Sequence, residues 1–364
     1  MDTTGEGSPG SGKDAQSLRQ EILDLKKKWG EKLLILTHHY QRPEVVRLGD
    51  VRGDSFELAR EASRREDVEH IVFCGVLFMA EAAAIVARPE QKVYHPNMNA
   101  GCPLADYADA VQVERAIAAI EEVRGKGSVT PVTYMNSDAS VKAVCGAAGG
   151  TVCTSSNAPR AFEWALERGE CVLFVPDEHL GWNTAAALSV PDGEVVVWDP
   201  WENGGNLDAA ELGRARIILW RGHCHVHTWF RPDHIQRARD ASPEALVYVH
   251  PECHRDVVAL ADGAGSTRYL VQAAEQAPAG ATIYIGTEIN LVTRLDMEHE
   301  DKTILPLARS LCPNMFRITL RRLRDTLACL PDGETVMVDQ EVRENAQLAL
   351  ERMLALGGRT PTGA

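Results

Sequence analysis

Segments typical of β-strands alternate with segments typical of helices along most of this chain. The strand-like runs, rich in Val or Ile, occupy residues 33–37, 70–74, 92–95, 131–135, 151–153, 171–175, 216–220, 246–250 and 281–286. Helical apolar spacing fills the gaps, as in Gln16 to Gly30, Ser55 to Arg65 and Phe78 to Val86. Such alternation favours an α/β fold in which helices cover the faces of parallel sheets.

The strand pattern begins again near residues 33, 131 and 246, at intervals of about 100 residues, which indicates an internal triplication. The middle third is the longest, and its excess at 185–215 contains turn sequences that we interpret as an inserted excursion forming a hairpin. The two ends of the chain are rich in Gly and Thr or Ser and are expected to be disordered. We predict a disordered N-terminus at 1–15, α/β domains at 16–129, 130–244 and 245–340, a C-terminal helix at 341–356 and a flexible tail at 357–364.

The composition excludes several classes of protein. A formal net charge of −14 makes nucleic acid an unsuitable partner. There is no run of 18 apolar residues and the N-terminus is polar, so we expect neither a transmembrane helix nor a signal peptide, no membrane partner and a cytoplasmic location. Nine cysteines without regular close spacing do not resemble a secreted disulfide framework.

Three cysteines stand apart from the others, because they lie beside Gly or Pro or between histidines at the ends of elements rather than inside apolar runs. They are Cys102, Cys224 and Cys312, one in each third of the chain. Loops are where ligands are usually placed, so the repeated context favours a shared metal centre. Three thiolates leave a coordination position open, which is typical of a catalytic rather than a structural centre. Cys253, also at a strand end, is the main rival for the third ligand.

The segment His223-Cys224-His225-Val226-His227 offers an alternative centre. Zinc bound by Cys and His is one interpretation of this cluster. If the segment is extended, its three histidines share one face and the cysteine takes the other, so a zinc site from this segment alone would use the histidines.

Pairs of polar residues two positions apart follow the first strand of each third, so both side chains face the same way. His250 and Glu252 form the pair best suited to general acid–base work. Hydroxyl clusters precede helix-like runs and are either helix caps or anion-binding groups at helix N-termini. The remaining pairs and the hydroxyl residues are His38 with Tyr40, Tyr134 with Asn136, and Ser55, Ser155, Ser266 and Thr267.

Across roughly residues 18–340 the chain resembles the quinolinate synthase family, the A protein of bacterial NAD biosynthesis. The resemblance rests on many short motifs in the same order. They include His38-His39-Tyr40-Gln41, Gly53-Asp54-Ser55, Ala100-Gly101-Cys102, Tyr134-Met135-Asn136, Thr154-Ser155-Ser156-Asn157, Pro176-Asp177-Glu178-His179-Leu180-Gly181, His250-Pro251-Glu252-Cys253, Gly286-Thr287-Glu288 and Cys312-Pro313-Asn314-Met315. Around Cys224 the chain departs from the family, where His223 and His225 are not typical.

The resemblance implies three α/β domains with short parallel sheets around a pseudo-threefold axis, and a [4Fe–4S] cluster at the centre held by Cys102, Cys224 and Cys312. It implies a transferase that condenses iminoaspartate with dihydroxyacetone phosphate to quinolinate, phosphate and water in de novo NAD biosynthesis, with functional coupling to L-aspartate oxidase. Substrate-binding residues carried over by the motifs are His38, Ser55, Tyr134, Asn136, Ser155, His250, Glu252, Ser266 and Thr267.

For the chemistry we expect the open iron to act as a Lewis acid. Glu252 is the candidate base, with His250, Tyr40 and His38 as further catalytic residues that handle protons. Two other classes stay open at this point. A zinc-dependent aldolase or hydrolase acting on a small phosphorylated substrate would use the histidine-rich segment, whereas a metal-free binding protein would not need the three cysteines.

Overall fold

The computed structural model describes residues 12–357, which contain three separate parallel β-sheets with helices packed against them. The central strands of the first two sheets are buried along their whole length. Burial on both faces explains why these strands appear in the sequence as continuous apolar runs rather than as alternating patterns. The α/β fold with three short parallel sheets is therefore confirmed.

The first unit contains a four-stranded sheet with the strand order β2-β1-β3-β4. Its elements are α1 (Gly12–Trp29), β1 (Leu33–His38), α2 (Pro43–Val46), β2 (Val51–Gly53), α3 (Ser55–Arg64), β3 (His70–Cys74), α4 (Leu77–Val86), β4 (Lys92–Tyr94) and α5 (Ala110–Arg124).

The second unit contains a five-stranded sheet with the order β6-β5-β7-β9-β8. Its elements are β5 (Val129–Tyr134), α6 (Ala139–Ala147), β6 (Thr151–Cys153), α7 (Ala158–Leu166), β7 (Cys171–Val175), α8 (Glu178–Ala187), β8 (Val195–Trp198), α9 (Ala209–Arg214), β9 (Ile217–Trp220), α10 (His225–Thr228) and α11 (Pro232–Ala241).

The third unit contains a four-stranded sheet with the order β11-β10-β12-β13. Its elements, and the helices that follow it, are β10 (Leu246–Val249), α12 (Arg255–Leu260), β11 (Gly263–Ala264), α13 (Thr267–Gln276), β12 (Thr282–Gly286), α14 (Ile289–Glu298), β13 (Thr303–Pro306), α15 (Leu320–Ala328) and α16 (Gln340–Gly357).

The three sheets share one strand order once β8 is set aside. In each, the first strand along the chain lies between the second and the third, and the last strand follows the third. The extra strand β8 comes from the stretch 185–215 and pairs with β9 in parallel, with Val196 opposite Ile218. A hairpin joins antiparallel strands, whereas parallel strands need a crossover, here supplied by α9. The hairpin predicted for this stretch is therefore wrong.

The ends of the chain differ from the sequence interpretation where the structure describes them. The segment predicted to be disordered at 1–15 lies mostly outside the described residues, but Gly12 to Ala15 already belong to α1. Residues 358–364 of the predicted tail also lie outside them, and Gly357 closes α16. No helix in the described part, residues 12 to 357, has both the length and the apolarity needed to cross a membrane.

Candidate active site

The first strand of each sheet ends at one common cleft. His38 is the last residue of β1, Tyr134 is the last residue of β5, and His250 directly follows β10. All three side chains line one cleft. Parallel strands present their carboxyl ends to ligands, and here three sheets do so at one place.

This cleft brings together nearly all of the residues singled out in the sequence. Ser266 is set apart, because its hydroxyl accepts a hydrogen bond from the Tyr269 N–H and caps α13, and it is not among the lining residues. Those that line the cleft are His38, Tyr40, Ser55, Tyr134, Asn136, Ser155, His250, Glu252 and Thr267, with Cys102, Cys224 and Cys312.

The three thiols occupy equivalent places in the three units. Cys102 follows β4, Cys224 follows β9 and Cys312 follows β13, and each of these strands takes the fourth position of the shared strand order. Burial raises the pKa of Cys102 to about 12, and the neighbouring Cys312 thiol adds to this. The pKa of Cys224 is raised by burial, by Glu252 and by the other two thiols. Burial raises the pKa of the cysteines away from the cleft in the same way, so it is the shared position of these three thiols, and not their pKa, that sets them apart.

The rival ligand Cys253 lies elsewhere. Its side chain is fully buried and packs in the core of the third unit with Val249 and Val257. It does not line the cleft. Cys253 is therefore a small core residue in this fold.

The histidine-rich segment is not extended. Residues 225–228 form the helical turn α10, which begins directly after Cys224. A helical turn does not hold alternate residues on one face, so His223, His225 and His227 separate. His227 is buried and enters the cleft, while His223 and His225 are exposed. The shared face predicted for these three histidines is therefore wrong.

His250 and Glu252 are linked as their spacing suggested. The Glu252 N–H donates to His250 Nδ1 at 3.3 Å, so the ring proton of the neutral imidazole lies on Nε2. That Nε2 lies 3.2 Å from the Ser155 hydroxyl of the second unit. Burial lowers the pKa of His250 to about 3, helped by the neighbouring His227. His250 is therefore a neutral hydrogen-bond donor at neutral pH.

Glu252 accepts hydrogen bonds from two other elements. The Tyr134 hydroxyl donates to Oε1 at 2.5 Å, and His227 Nδ1 lies 3.0 Å from Oε2. Burial acts to raise the pKa of Glu252, but His227 and the Tyr134 hydroxyl, which both hydrogen-bond the carboxylate, outweigh it and hold the pKa below its usual range. An ionised carboxylate in this position can accept a proton from a substrate.

His38 and Tyr40 form a second group on the side of the first unit. The Tyr40 N–H donates to His38 Nδ1 at 3.1 Å, which again leaves the proton on Nε2. Burial lowers the pKa of His38 to about 3 and raises the pKa of Tyr40. The Tyr40 hydroxyl lies 2.6 Å from the Thr287 hydroxyl and accepts from Thr267 at 3.2 Å.

Two residues outside our predicted site connect these groups. His227 Nε2 lies 3.2 Å from the Thr287 hydroxyl. A continuous chain of hydrogen bonds therefore runs from Tyr40 through Thr287 and His227 to Glu252 and on to Tyr134. Thr287 falls inside a motif that carried the resemblance, but spacing alone could not show that it meets His227, because the two residues follow strands of different sheets.

The cleft can hold anions without cationic side chains, since no Lys or Arg occurs among the described residues that line it. Ser55 begins α3 and Thr267 begins α13, so hydroxyls and helix N-terminal amides face the same space. Ser155 precedes α7 by three residues. Helix N-termini with nearby hydroxyls suit phosphate and carboxylate groups.

One compact group of metal-binding side chains is found in the described residues. Donor atoms of Cys224, His227 and Glu252 lie within 4.8 Å of one another. A thiolate, an imidazole and a carboxylate suit zinc or iron, although Glu252 and His227 already hydrogen-bond each other. Cys102 and Cys312 line the same cleft, and a thiol-only centre would leave the His227–Glu252 pair free for acid–base work.

The family model described as "Quinolinate synthetase A protein" matches residues 20–355 of this chain. Quinolinate synthase from Streptomyces coelicolor is 50% identical over 339 residues, covering 91% of this chain and 86% of that protein. The one from Nocardioides sp. is 49% identical over 345 residues, covering 91% and 87%. The one from Rhodopirellula baltica is 46% identical over 356 residues, covering 93% and 91%.

Proposed function

This chain belongs to the quinolinate synthetase A protein family, and from that premise we propose that it condenses iminoaspartate with dihydroxyacetone phosphate in de novo NAD biosynthesis. The products are quinolinate, phosphate and water. The observation that supports this most directly is the meeting of three thiols and a buried acid–base network in one cleft between three sheets. Such a combination suits a reaction that joins two small polar molecules and then removes water.

Cys102, Cys224 and Cys312 are the residues that would hold a [4Fe–4S] cluster. Their soft donors and their equivalent positions in the three units fit an iron centre. When bound, the cluster would supply a Lewis-acidic iron with one position free of protein ligands.

Glu252 is the proposed general base, because it is a carboxylate that lines the cleft and is held ionised by its neighbours. Tyr134 and His227 hold its two oxygens in fixed directions. The chain from Glu252 through His227 and Thr287 to Tyr40 would let a proton taken up at one end be balanced by a proton released at the other. The Tyr40 hydroxyl would then give or take a proton during isomerisation of the triose.

Neutral donors would hold the anionic groups of the substrates. His38 and His250 each carry a proton on Nε2, and Ser55, Ser155 and Thr267 add hydroxyls. Asn136 lies beside Tyr134 and would orient the dicarboxylate. Neutral donors suit a site that must bind phosphate and then release it.

We further propose a functional partner. Iminoaspartate is an imine that hydrolyses in water, so an enzyme that oxidises L-aspartate must supply it close by. L-aspartate oxidase has this chemistry, and coupling to it would protect the imine from water.

The direct test is formation of quinolinate by anaerobically purified protein given freshly generated iminoaspartate and dihydroxyacetone phosphate. We expect quinolinate and phosphate in equal amounts, with the brown colour of an iron–sulfur protein. Colourless protein with one zinc per chain would favour the second candidate, a zinc-dependent aldolase or hydrolase built on Cys224, His227 and Glu252. Protein that retains its iron but makes no quinolinate would contradict the proposed reaction.

A further inference from the structure

Histidines that the proposed reaction does not use gather on the outer side of the Cys224 loop. The rings of His179 and His254 have centroids 4.3 Å apart, and His223 lies 6.5 Å from His179. None of these three imidazoles makes a hydrogen bond within residues 12–357. His223 also packs against the Tyr107 ring, with centroids 5.2 Å apart, so ring contacts hold the three imidazoles while their nitrogens have no hydrogen bonds among the described residues.

Each histidine comes from a different segment. His179 lies in the first turn of α8, His223 follows β9, and His254 precedes α12. The first two belong to the second unit and His254 belongs to the third. A ligand held by all three would join these two units.

We propose that His179, His223 and His254 form a binding site for a divalent transition-metal ion of the zinc class, separate from the three-thiol centre. Zinc binds imidazole nitrogen at about 2.0–2.1 Å, which places three tetrahedrally arranged ring centroids roughly 5 Å apart. The observed separations of 4.3 and 6.5 Å lie on either side of this value. In the structure the ligand nitrogens of the three residues are not all within 4.8 Å of one another, so the exposed His223 and His254 side chains would have to rotate to bring them into reach.

The surrounding charges suit a dication. The carboxylates of Glu178 and Asp256 lie close enough to act on the histidines, Glu178 on His254 and Asp256 on His179. The nearby cations already have partners, because Arg221 pairs with Asp199 at 2.6 Å and Arg255 pairs with Asp192 at 3.0 Å. Metal-bound histidines are usually supported by carboxylates of this kind.

The two units already touch where the ion would bind. The Asn183 side chain donates to the carbonyls of Pro251 and Cys253 at 2.8 and 2.9 Å. The Arg255 guanidinium lies 4.8 Å from the centre of the Trp182 ring. This interface already holds the histidines near one another, and a bound ion would tie the second and third units together there.

The zinc site does not depend on the proposed reaction, and its test reads metal rather than activity. Full-length protein, prepared anaerobically so that any iron centre is kept, is dialysed against Zn²⁺ and analysed for zinc and iron. We expect one zinc per chain in addition to the iron. His223→Ala and His254→Ala should each bind zinc more weakly by at least about a hundredfold, since even supporting residues are worth 10–100-fold.

His299→Ala is the matched control, because this histidine is in the third unit but lies outside the cluster, and it should bind zinc like the unaltered protein. Zinc should also slow amide hydrogen exchange at 179–183 and 250–257 in the unaltered chain but not in His254→Ala. Absence of zinc binding, or equal binding by His223→Ala, His254→Ala and the unaltered chain, would overturn the site.

Discussion

His227 Nδ1 lies 3.0 Å from Glu252 Oε2, and both side chains are almost completely buried. The pair joins α10, beyond the second sheet, to the loop after β10 of the third. Because Glu252 is ionised, His227 Nδ1 donates to it, and His227 Nε2 lies 3.2 Å from the Thr287 hydroxyl. This arrangement links the Tyr40 hydroxyl to the Glu252 carboxylate through one continuous chain of hydrogen bonds.

Thr287→Val should interrupt that chain while preserving the shape of the side chain. We expect kcat to fall by about 10²–10⁴, the usual contribution of positioned proton transfer, with little change in iron content. Steady-state kinetics of quinolinate formation measures this. Thr293→Val, an exposed position on α14, is the control. A Thr287→Val enzyme as active as this control would show that the chain carries no proton.

Glu252→Gln should remove the base and also disturb its partners. An amide has only one acceptor oxygen, so the side chain of this variant cannot accept from both Tyr134 and His227 as the carboxylate does. We expect kcat/KM to fall at least about a hundredfold. The assay uses fresh iminoaspartate, with iron and sulfide measured on the same sample. Near-normal turnover would remove Glu252 from the role of base.

Replacing Cys102, Cys224 or Cys312 by Ala should abolish or destabilise the iron centre, since each supplies one of three thiols to the cleft. Iron, acid-labile sulfide and the visible spectrum of anaerobic preparations give the result. Cys253→Ala is the control, because that thiol lies in the core of the third unit and should leave the centre intact. If all three single variants keep a full cluster, the assignment of the ligands is incorrect.

Asp54→Asn should change how stability depends on pH. Burial raises the pKa of Asp54 to about 6 from 3.8, so the folded chain retains a proton that the unfolded chain releases. The stability from this proton is fully present below pH 3.8 and is lost as pH rises through about 6. Asn also caps helices well, so the cap on α3 should survive.

The unaltered chain should therefore lose stability between acidic and neutral pH, whereas Asp54→Asn should not. Over this range the unfolding free energy of the variant should rise relative to that of the unaltered chain by up to about 3 kcal/mol. Urea unfolding followed at both pH values measures the difference. A difference that does not vary with pH would mean that Asp54 is ionised at its ordinary pKa in the folded chain.

Gly146→Ala should loosen the docking of the C-terminal helix. Gly146 lies in α6 where α16 crosses it, and an added Cβ would collide with the Asn345 carbonyl. Arg352 also donates to the Gly146 carbonyl at 3.1 Å. Because the backbone cannot move aside as a side chain can, we expect the free energy of unfolding to fall by about 1–3 kcal/mol. Gly213→Ala in α9 is the control, because the added Cβ would meet open space. Its free energy of unfolding should instead rise by up to about 1 kcal/mol. Equal unfolding midpoints for the two variants would show that α16 is not held tightly there.

The sequence alone predicted the class of fold, because buried parallel strands and amphipathic helices leave local patterns that survive in any tertiary context. The runs at 33–37 and 171–175 are strands in the structure, and the run at 246–250 is a strand up to Val249. The sequence interpretation failed at the hairpin predicted for 185–215. There β8 joins the sheet by pairing in parallel with β9, and which strand it pairs with depends on the tertiary structure. The interpretation also failed at the three histidines of 223–227, where a short helical turn replaced the extended chain.

Which residues carry polar chemistry was therefore determined locally, by their place at the ends of strands, whereas their partners were decided by the tertiary structure. Cys253 and Cys312 are similar in the sequence, but only one of them lines the cleft. His227 and Thr287 are separated by 60 positions, yet they lie within hydrogen-bonding distance. Contacts between sheets depend on how three separate units pack, and no local periodicity encodes that packing.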